Sequence, residues 1–304
     1  MKACFFVTLA VPFLAFASGG PFKIMSYNIR HGVTSDKGFD LSRAACVMAA
    51  EKPRFVALQE IDMYTDRVGR TNSCEVLARF MGEKHSCATN WNFAKAIDYG
   101  GGEYGVALLS EEKPLRVDKI ALGGNEPRVL LMCEFEDCWI AVAHLPLGFI
   151  SRTALTPNPH KTRFPPADVD DAAVAENLAL AGKRAMLARE YNQISFDCMA
   201  SVIKIEVLAR AKTKPVFLTG DWNARPHSRF LTHIRGFMTI LTPEDAWTYH
   251  GTISSLPFIG PGRCIDYIAV DTAHRQSYDV VSSYVVNERI VSDHAPIVVE
   301  LKLR

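Results

Sequence analysis

Apolar residues cluster in short runs that end on polar side chains, at Lys23–Ile29, Arg54–Leu58, Gly105–Leu109, Arg128–Phe135, Trp139–His144, Pro215–Thr219, Cys264–Val270 and Pro296–Leu301. Their length and β-branched content predict strands buried on at least one face. Helical patterns fall between some of them. Asp40 is placed to cap a helix over Leu41–Glu51 that Pro53 stops, and Ser73 to cap one ending near Gly82. An Ala-rich pattern over Ala172–Tyr191 and another over Phe196–Ala211 predict two more. Strands and helices mix without regular βαβ alternation, which predicts an α/β domain with much antiparallel pairing.

Two stretches break the pattern. Phe149–Asp171 carries Thr156-Pro157-Asn158-Pro159 and Phe164-Pro165-Pro166 and reads as a long loop, either plain surface or lid, within an insertion at about 149–195. At the start, Lys2, the apolar Phe5–Phe16 run and Ala15-Phe16-Ala17 read as an export signal over residues 1–17, so a secreted or periplasmic protein is expected, with one domain over 18–304. No later run is long enough to predict stable membrane insertion.

Charge narrows the partners. The chain has 34 basic and 33 acidic residues, and losing the leader removes one Lys and no acid. That balance argues against broad electrostatic capture of nucleic acid or anionic membrane, while allowing a local basic groove. No Cys/His cluster suggests zinc. Cys133 and Cys138 flank a predicted hairpin, and export permits a disulfide between them.

Candidate chemistry sits at the strand ends. Asp221 and Asn223, two apart after Pro215–Thr219, can aim two oxygen-bearing side chains into one cleft, although turn propensity alone also explains Gly220-Asp221-Trp222-Asn223. Glu60 follows Phe55–Leu58 where a hard cation such as Mg²⁺ would find a carboxylate, and Asn28 ends Ile24–Tyr27 with an amide for a phosphate or a carboxylate. His144 ends Trp139–Ala143, and His294 precedes Pro296–Glu300. Asp266 lies inside an apolar run, where a buried carboxylate needs a partner; an imidazole such as His294 would serve and would keep its own tautomer fixed. Signatures of other classes are missing: GxSxG, HExxH, GxxxxGK[ST], or GxGxxG after a strand.

In order, Ser26-Tyr27-Asn28-Ile29-Arg30, Leu58-Gln59-Glu60-Ile61-Asp62, Ala143-His144-Leu145, Gly220-Asp221-Trp222-Asn223-Ala224, Ile265-Asp266-Tyr267-Ile268 and Ser292-Asp293-His294-Ala295-Pro296 resemble the endonuclease/exonuclease/phosphatase superfamily, which is deoxyribonuclease I-like. Gly101-Gly102-Glu103-Tyr104-Gly105 and Glu126-Pro127-Arg128 further resemble its bacterial exported hydrolase branch. The resemblance implies a four-layer α/β/β/α sandwich and a Mg²⁺- or Mn²⁺-dependent phosphoric ester hydrolase. It implies Glu60 as main metal ligand, with Asn28 and Asp293 assisting. Asp221 would orient or deprotonate water, Asn223 hold a phosphate oxygen, and His144 and His294, the latter steered by Asp266, bracket the phosphate. The expected partner is a phosphate ester: a nucleic acid, a nucleotide, a phospholipid headgroup or an inositol phosphate. A diesterase is the first expectation, a monoesterase on inositol or sugar phosphates the second, and a non-catalytic binding protein the third. For the monoesterase, Arg30, Arg67, Arg70 and Arg128 are candidate extra cations. The histidine at 144 is similar to the deoxyribonuclease I, sphingomyelinase and inositol-phosphatase branches and unlike the abasic-site repair nucleases. The Phe149–Asp171 and Leu256–Gly262 segments depart from the family pattern.

Overall fold

A computed structural model describes residues 20–34, 36, 38–85, 88–123, 126–146, 196–251 and 264–304. Within it the apolar runs build two mixed six-stranded sheets. The first runs in the spatial order β11 (Tyr278–Val285), β12 (Ile297–Leu303), β1 (Phe22–Asn28), β2 (Phe55–Met63), β4 (Gly102–Ser110) and β3 (Asn90–Tyr99). The second runs β5 (Arg116–Gly123), β6 (Arg128–Glu134), β7 (Trp139–His144), β8 (Val216–Asp221), β10 (Asp266–Asp271) and β9 (Met238–Ile240). Each sheet has one parallel pair, β1 with β2 and β7 with β8, among antiparallel neighbours.

The sheets face each other across an apolar layer in which Phe22, Phe55, Phe135, Phe217 and Tyr278 interlock edge to face or tilted. Helices α1 (Leu41–Glu51) and α2 (Ser73–His85) cover the outside of the first sheet through Ala44, Ala45, Met48, Leu77 and Met81. A helix over residues 196–210, α3, and the short α4 (Arg229–Ile234) cover the second through Met199, Ile203, Val207, Phe230 and Leu231. This is the expected α/β/β/α sandwich, and it follows from each sheet being apolar on both faces.

Local chemistry sets the element ends. Asp40 accepts from the Ser42 and Arg43 amides and caps α1, and Lys52 leaves it in the left-handed region before Pro53. The cap of α2 is Asn72, whose Oδ1 accepts the Glu75 amide at 3.0 Å, one residue before the expected Ser73. Strand β2 does not stop at Leu58: Glu60 takes φ 58°, the pairing with β4 shifts register between Leu58 and Ile61, and the strand resumes to Met63. The site carboxylate therefore sits on a bulge inside a long strand, not at its end. Strands β3, β5 and β11 form from more polar segments, half-exposed along much of their length, that lack a long apolar run.

Cys133 and Cys138 are both free thiols. The hairpin register explains why: Cys133 pairs across with Ile140, and the residue facing Cys138 is Phe135, whose amide donates to the Cys138 carbonyl at 2.8 Å. The leader at 1–17, the insertion at about 149–195 and the Leu256–Gly262 segment lie outside the described residues. Among the described residues no helix is long and apolar enough to cross a membrane.

Candidate active site

The parallel β7–β8 pair places the first two groups. Its register sets His144 opposite Asp221, and the pair is held close by Gly220 at φ +140°, where a Cβ would stand 1.8 Å from the Ala143 carbonyl oxygen. No other residue fits there without moving β7. Antiparallel β10 then brings Asp266 opposite Asp221 from the other side. From the first sheet, β1 ends on Asn28, the β2 bulge presents Glu60, and the segment before β12 presents Asp293 and His294.

These side chains meet. Asp221 Oδ2 lies 3.6 Å from both His144 Nε2 and His294 Nε2, and it accepts the Asn28 Nδ2–H at 3.1 Å. The same Asn28 amide nitrogen donates to Glu60 Oε1 at 3.1 Å, while its Oδ1 accepts the Arg30 amide. Asp221 Oδ1 takes the Asn223 backbone amide at 2.9 Å. His294 Nδ1 is 2.9 Å from Asp266 Oδ2, and the Tyr249 ring packs against this imidazole with centroids 4.8 Å apart. His144 Nδ1 is 3.1 Å from Arg128 Nη1, and its Nε2 is 3.3 Å from Asn223 Nδ2, which also donates to the Leu145 carbonyl at 2.8 Å. Asn28, His144, Asp221, Asp266 and His294 are all buried. Asp293 stands at the edge, its Oδ2 3.7 Å from Arg30 Nε.

Burial works to raise the Asp221 carboxyl, and the neighbouring Asp266 charge adds to this; its pKa is pushed up to about 7. Burial opposes the charged form of His294, but the Asp266 and Asp221 carboxylates outweigh it and carry the imidazole up to about 10. His144 goes the other way, because burial and then the Arg128 charge push it well below the ordinary histidine value. Burial opposes the charged form of Glu60, but His31 beside it and the Asn28 hydrogen bond outweigh burial and hold the carboxyl below the usual carboxylate range. A carboxyl raised to about 7 beside an imidazole raised to about 10 is the pattern of an acid–base centre.

Two contributors have no sequence periodicity to announce them. His31 sits at φ 47° with its buried Nδ1 lacking a hydrogen-bond partner, 3.8 Å from Glu60 Oε2. Its position three residues after Asn28 was the available signal. Tyr249 follows no strand and reaches His294 through an isolated bridge.

Asp221, Asp266 and His294 each offer a ligand atom within 4.8 Å of the others, a candidate metal site. Asp266 Oδ2 is already taken by His294 Nδ1, however, so that triad fits an oriented imidazole better than an ion cage. Glu60 and Asp293 are the carboxylates at the rim: Glu60 Oε1 takes the Asn28 amide while its Oε2 faces the orphaned His31 Nδ1 at 3.8 Å, and Asp293 Oδ1 takes the Ser292 hydroxyl at 3.4 Å while its Oδ2 faces Arg30. Hard carboxylate oxygens of this kind suit a Mg²⁺-type ion.

The family model described as the Endonuclease/Exonuclease/phosphatase family matches residues 25–294. Among solved structures, an endonuclease/exonuclease/phosphatase from Beutenbergia cavernae is similar at TM-score 0.62 and 18% identity, over 93% of this chain and 72% of its own. A family protein from Leptotrichia buccalis is similar at TM-score 0.61 and 16% identity, over 93% of this chain and 100% of its own. One from Bacteroides vulgatus is similar at TM-score 0.60 and 14% identity, over 94% and 100%. No curated protein matches the chain.

Proposed function

The chain belongs to the endonuclease/exonuclease/phosphatase family, metal-dependent hydrolases of phosphoester bonds, and from its site we propose a Mg²⁺- or Mn²⁺-dependent phosphodiesterase that uses in-line water attack. The observation that carries the reading is a single carboxylate oxygen, Asp221 Oδ2, set 3.6 Å from two imidazole nitrogens and anchored by Asn28. Glu60 would be the main ligand of the ion, with Asp293 beside it, and Asn28, whose Oδ1 takes the Arg30 amide, would assist by orienting the Glu60 carboxylate through its N–H. When bound, the ion would supply positive charge to the phosphate oxygens.

The protein's own groups divide the remaining work. Asp221 accepts a proton from the attacking water as the water oxygen closes on phosphorus. Its raised pKa suits it to that task near neutrality. The opposite P–O bond breaks, and charged His294 passes its Nε2 proton to the departing oxygen. Asp266 stays on Nδ1, fixing the ring and stabilising its charge. Asn28 keeps Asp221 and Glu60 aligned, and Asn223 holds a phosphate oxygen.

A diester is favoured over a monoester because the rim cations are already engaged. Arg30 pairs with Asp293, Arg67 with Asp62 and Arg70 with Asp66. A dianionic monoester calls for more free positive charge than they leave. Comparing bis-p-nitrophenyl phosphate with the mono-ester at matched Mg²⁺ tests this. Faster diester turnover that EDTA abolishes and Mn²⁺ restores is expected, and faster monoester turnover selects the alternative. Export belongs to the same proposal on the strength of Lys2 and the Phe5–Phe16 run. N-terminal sequencing of secreted material should begin at Ser18.

A further inference from the structure

Arg128 opens β6 and is 5% exposed, on the strand next to the one His144 ends. Its Nη1 is 3.1 Å from His144 Nδ1, its Nη2 bonds Glu126, and its Nε is buried with no partner. A guanidinium has five N–H donors and no acceptor, and it does not lose a proton in a protein. A contact at 3.1 Å therefore requires a lone pair on His144 Nδ1. A neutral imidazole with its lone pair on Nδ1 carries its hydrogen on Nε2.

That hydrogen lands beside another. Asn223 Nδ2 stands 3.3 Å from His144 Nε2, and one of its two hydrogens is committed to the Leu145 carbonyl. Two N–H donors this close do not bond each other; they converge on one acceptor between them. Within the protein, Asp221 Oδ2 at 3.6 Å is the oxygen His144 can address.

We infer that Arg128 is a positioning residue that fixes His144 as the Nε2–H tautomer, so that His144 and Asn223 form a two-donor clamp on one phosphate oxygen. The inference rests on the phosphoesterase reading and assigns His144 a hydrogen bond it gives without surrendering its proton. Proton exchange in turnover is left to Asp221 and His294. The clamp is aimed by a fixed cation before substrate arrives, which is where such donors are most effective.

The test uses the full chain labelled with ¹⁵N-histidine, with the His144 resonances assigned by their loss in His144→Gln. In wild type at neutral pH, Nε2 should be protonated and Nδ1 not. Arg128→Lys keeps a donor and should keep that pattern. Arg128→Met fills the space without a donor and should release the ring to a tautomer mixture. Protonation of Nδ1 in wild type overturns the inference, as does an unchanged pattern in Arg128→Met.

Kinetics provide the second arm, because Gln retains an N–H near the Nε2 position and cannot shuttle a proton. His144→Ala should lose about 100- to 1,000-fold in kcat, the usual cost of an oxyanion donor, and His144→Gln should recover most of that loss. His144→Gln as inactive as His144→Ala sinks the clamp. If wild type hydrolyses no phosphoester with any divalent ion, the function proposal fails, and the nitrogen spectra still decide the tautomer.

Discussion

His144 and His294 approach the same Asp221 oxygen at the same 3.6 Å, both deeply buried, yet they are built for opposite duties. The difference lies one bond behind each ring. His294 has the Asp266 carboxylate on Nδ1, and His144 has the Arg128 guanidinium there. Burial disfavours charge on both, and only His294 has the anions to overcome it. Equal distance to a substrate thus says little about role; the partner on the far nitrogen decides whether an imidazole can carry a proton through the cycle or only lend a hydrogen bond.

The largest disturbance of this comparison should come from Gly220→Ala. The added methyl would meet the Ala143 carbonyl at 1.8 Å and push apart the β7–β8 pair that sets His144 against Asp221. A stability loss above about 4 kcal/mol is expected, read from denaturant unfolding. Retention of wild-type stability would mean that the strand spacing is adjustable.

His294→Ala should lose at least about 100-fold in kcat, as for a positioned acid–base group, with no recovery in His294→Gln. Recovery by Gln would erase the distinction between the histidines.

The pH dependence sharpens it further. A rate that rises as Asp221 ionises near 7 and falls as His294 loses its proton near 10 is expected for kcat of the diester. The same His294 shift has a stability counterpart. Its folded pKa lies above the unfolded value of about 6.5, so its contribution is complete below that value and is lost as pH rises through about 10. Thermal melts of wild type against His294→Gln should converge over that window.

The smallest effect is a control. Asp40→Ala removes the cap of α1 on the outer face of the first sheet and should cost about 1 kcal/mol, leaving the ratio between the two histidine variants unchanged.

Much of this was legible in the residues. Trp139–His144 spans β7 from end to end, Asp40 caps the helix it was expected to cap, and the six motifs lie where the sheets meet. Apolar runs report burial, and all these elements are buried on at least one side. Strands β3, β5 and β11 have no long apolar run because they carry exposed polar and charged positions and owe their pairing to β4, β6 and β12. The contact of Arg128 with His144 joins residues 16 apart through a hairpin register, which no local pattern records. Glu60 was assigned to a strand end because Leu58 closes the apolar run; its left-handed backbone keeps β2 going and is invisible to hydropathy.

That kink in β2 reaches beyond one side chain. Strand β3 slips register against β4 between Lys95 and Ile97, beside the same Gly105 that faces the break in β2. A crease thus crosses three adjacent strands on one line, and the tip beyond it, Ile61–Met63 with the turn at Gly100, has side-chain parity independent of the sheet below. Glu60 stands at that changeover, so a residue added or removed at the crease would swing its carboxylate from one side of the sheet to the other.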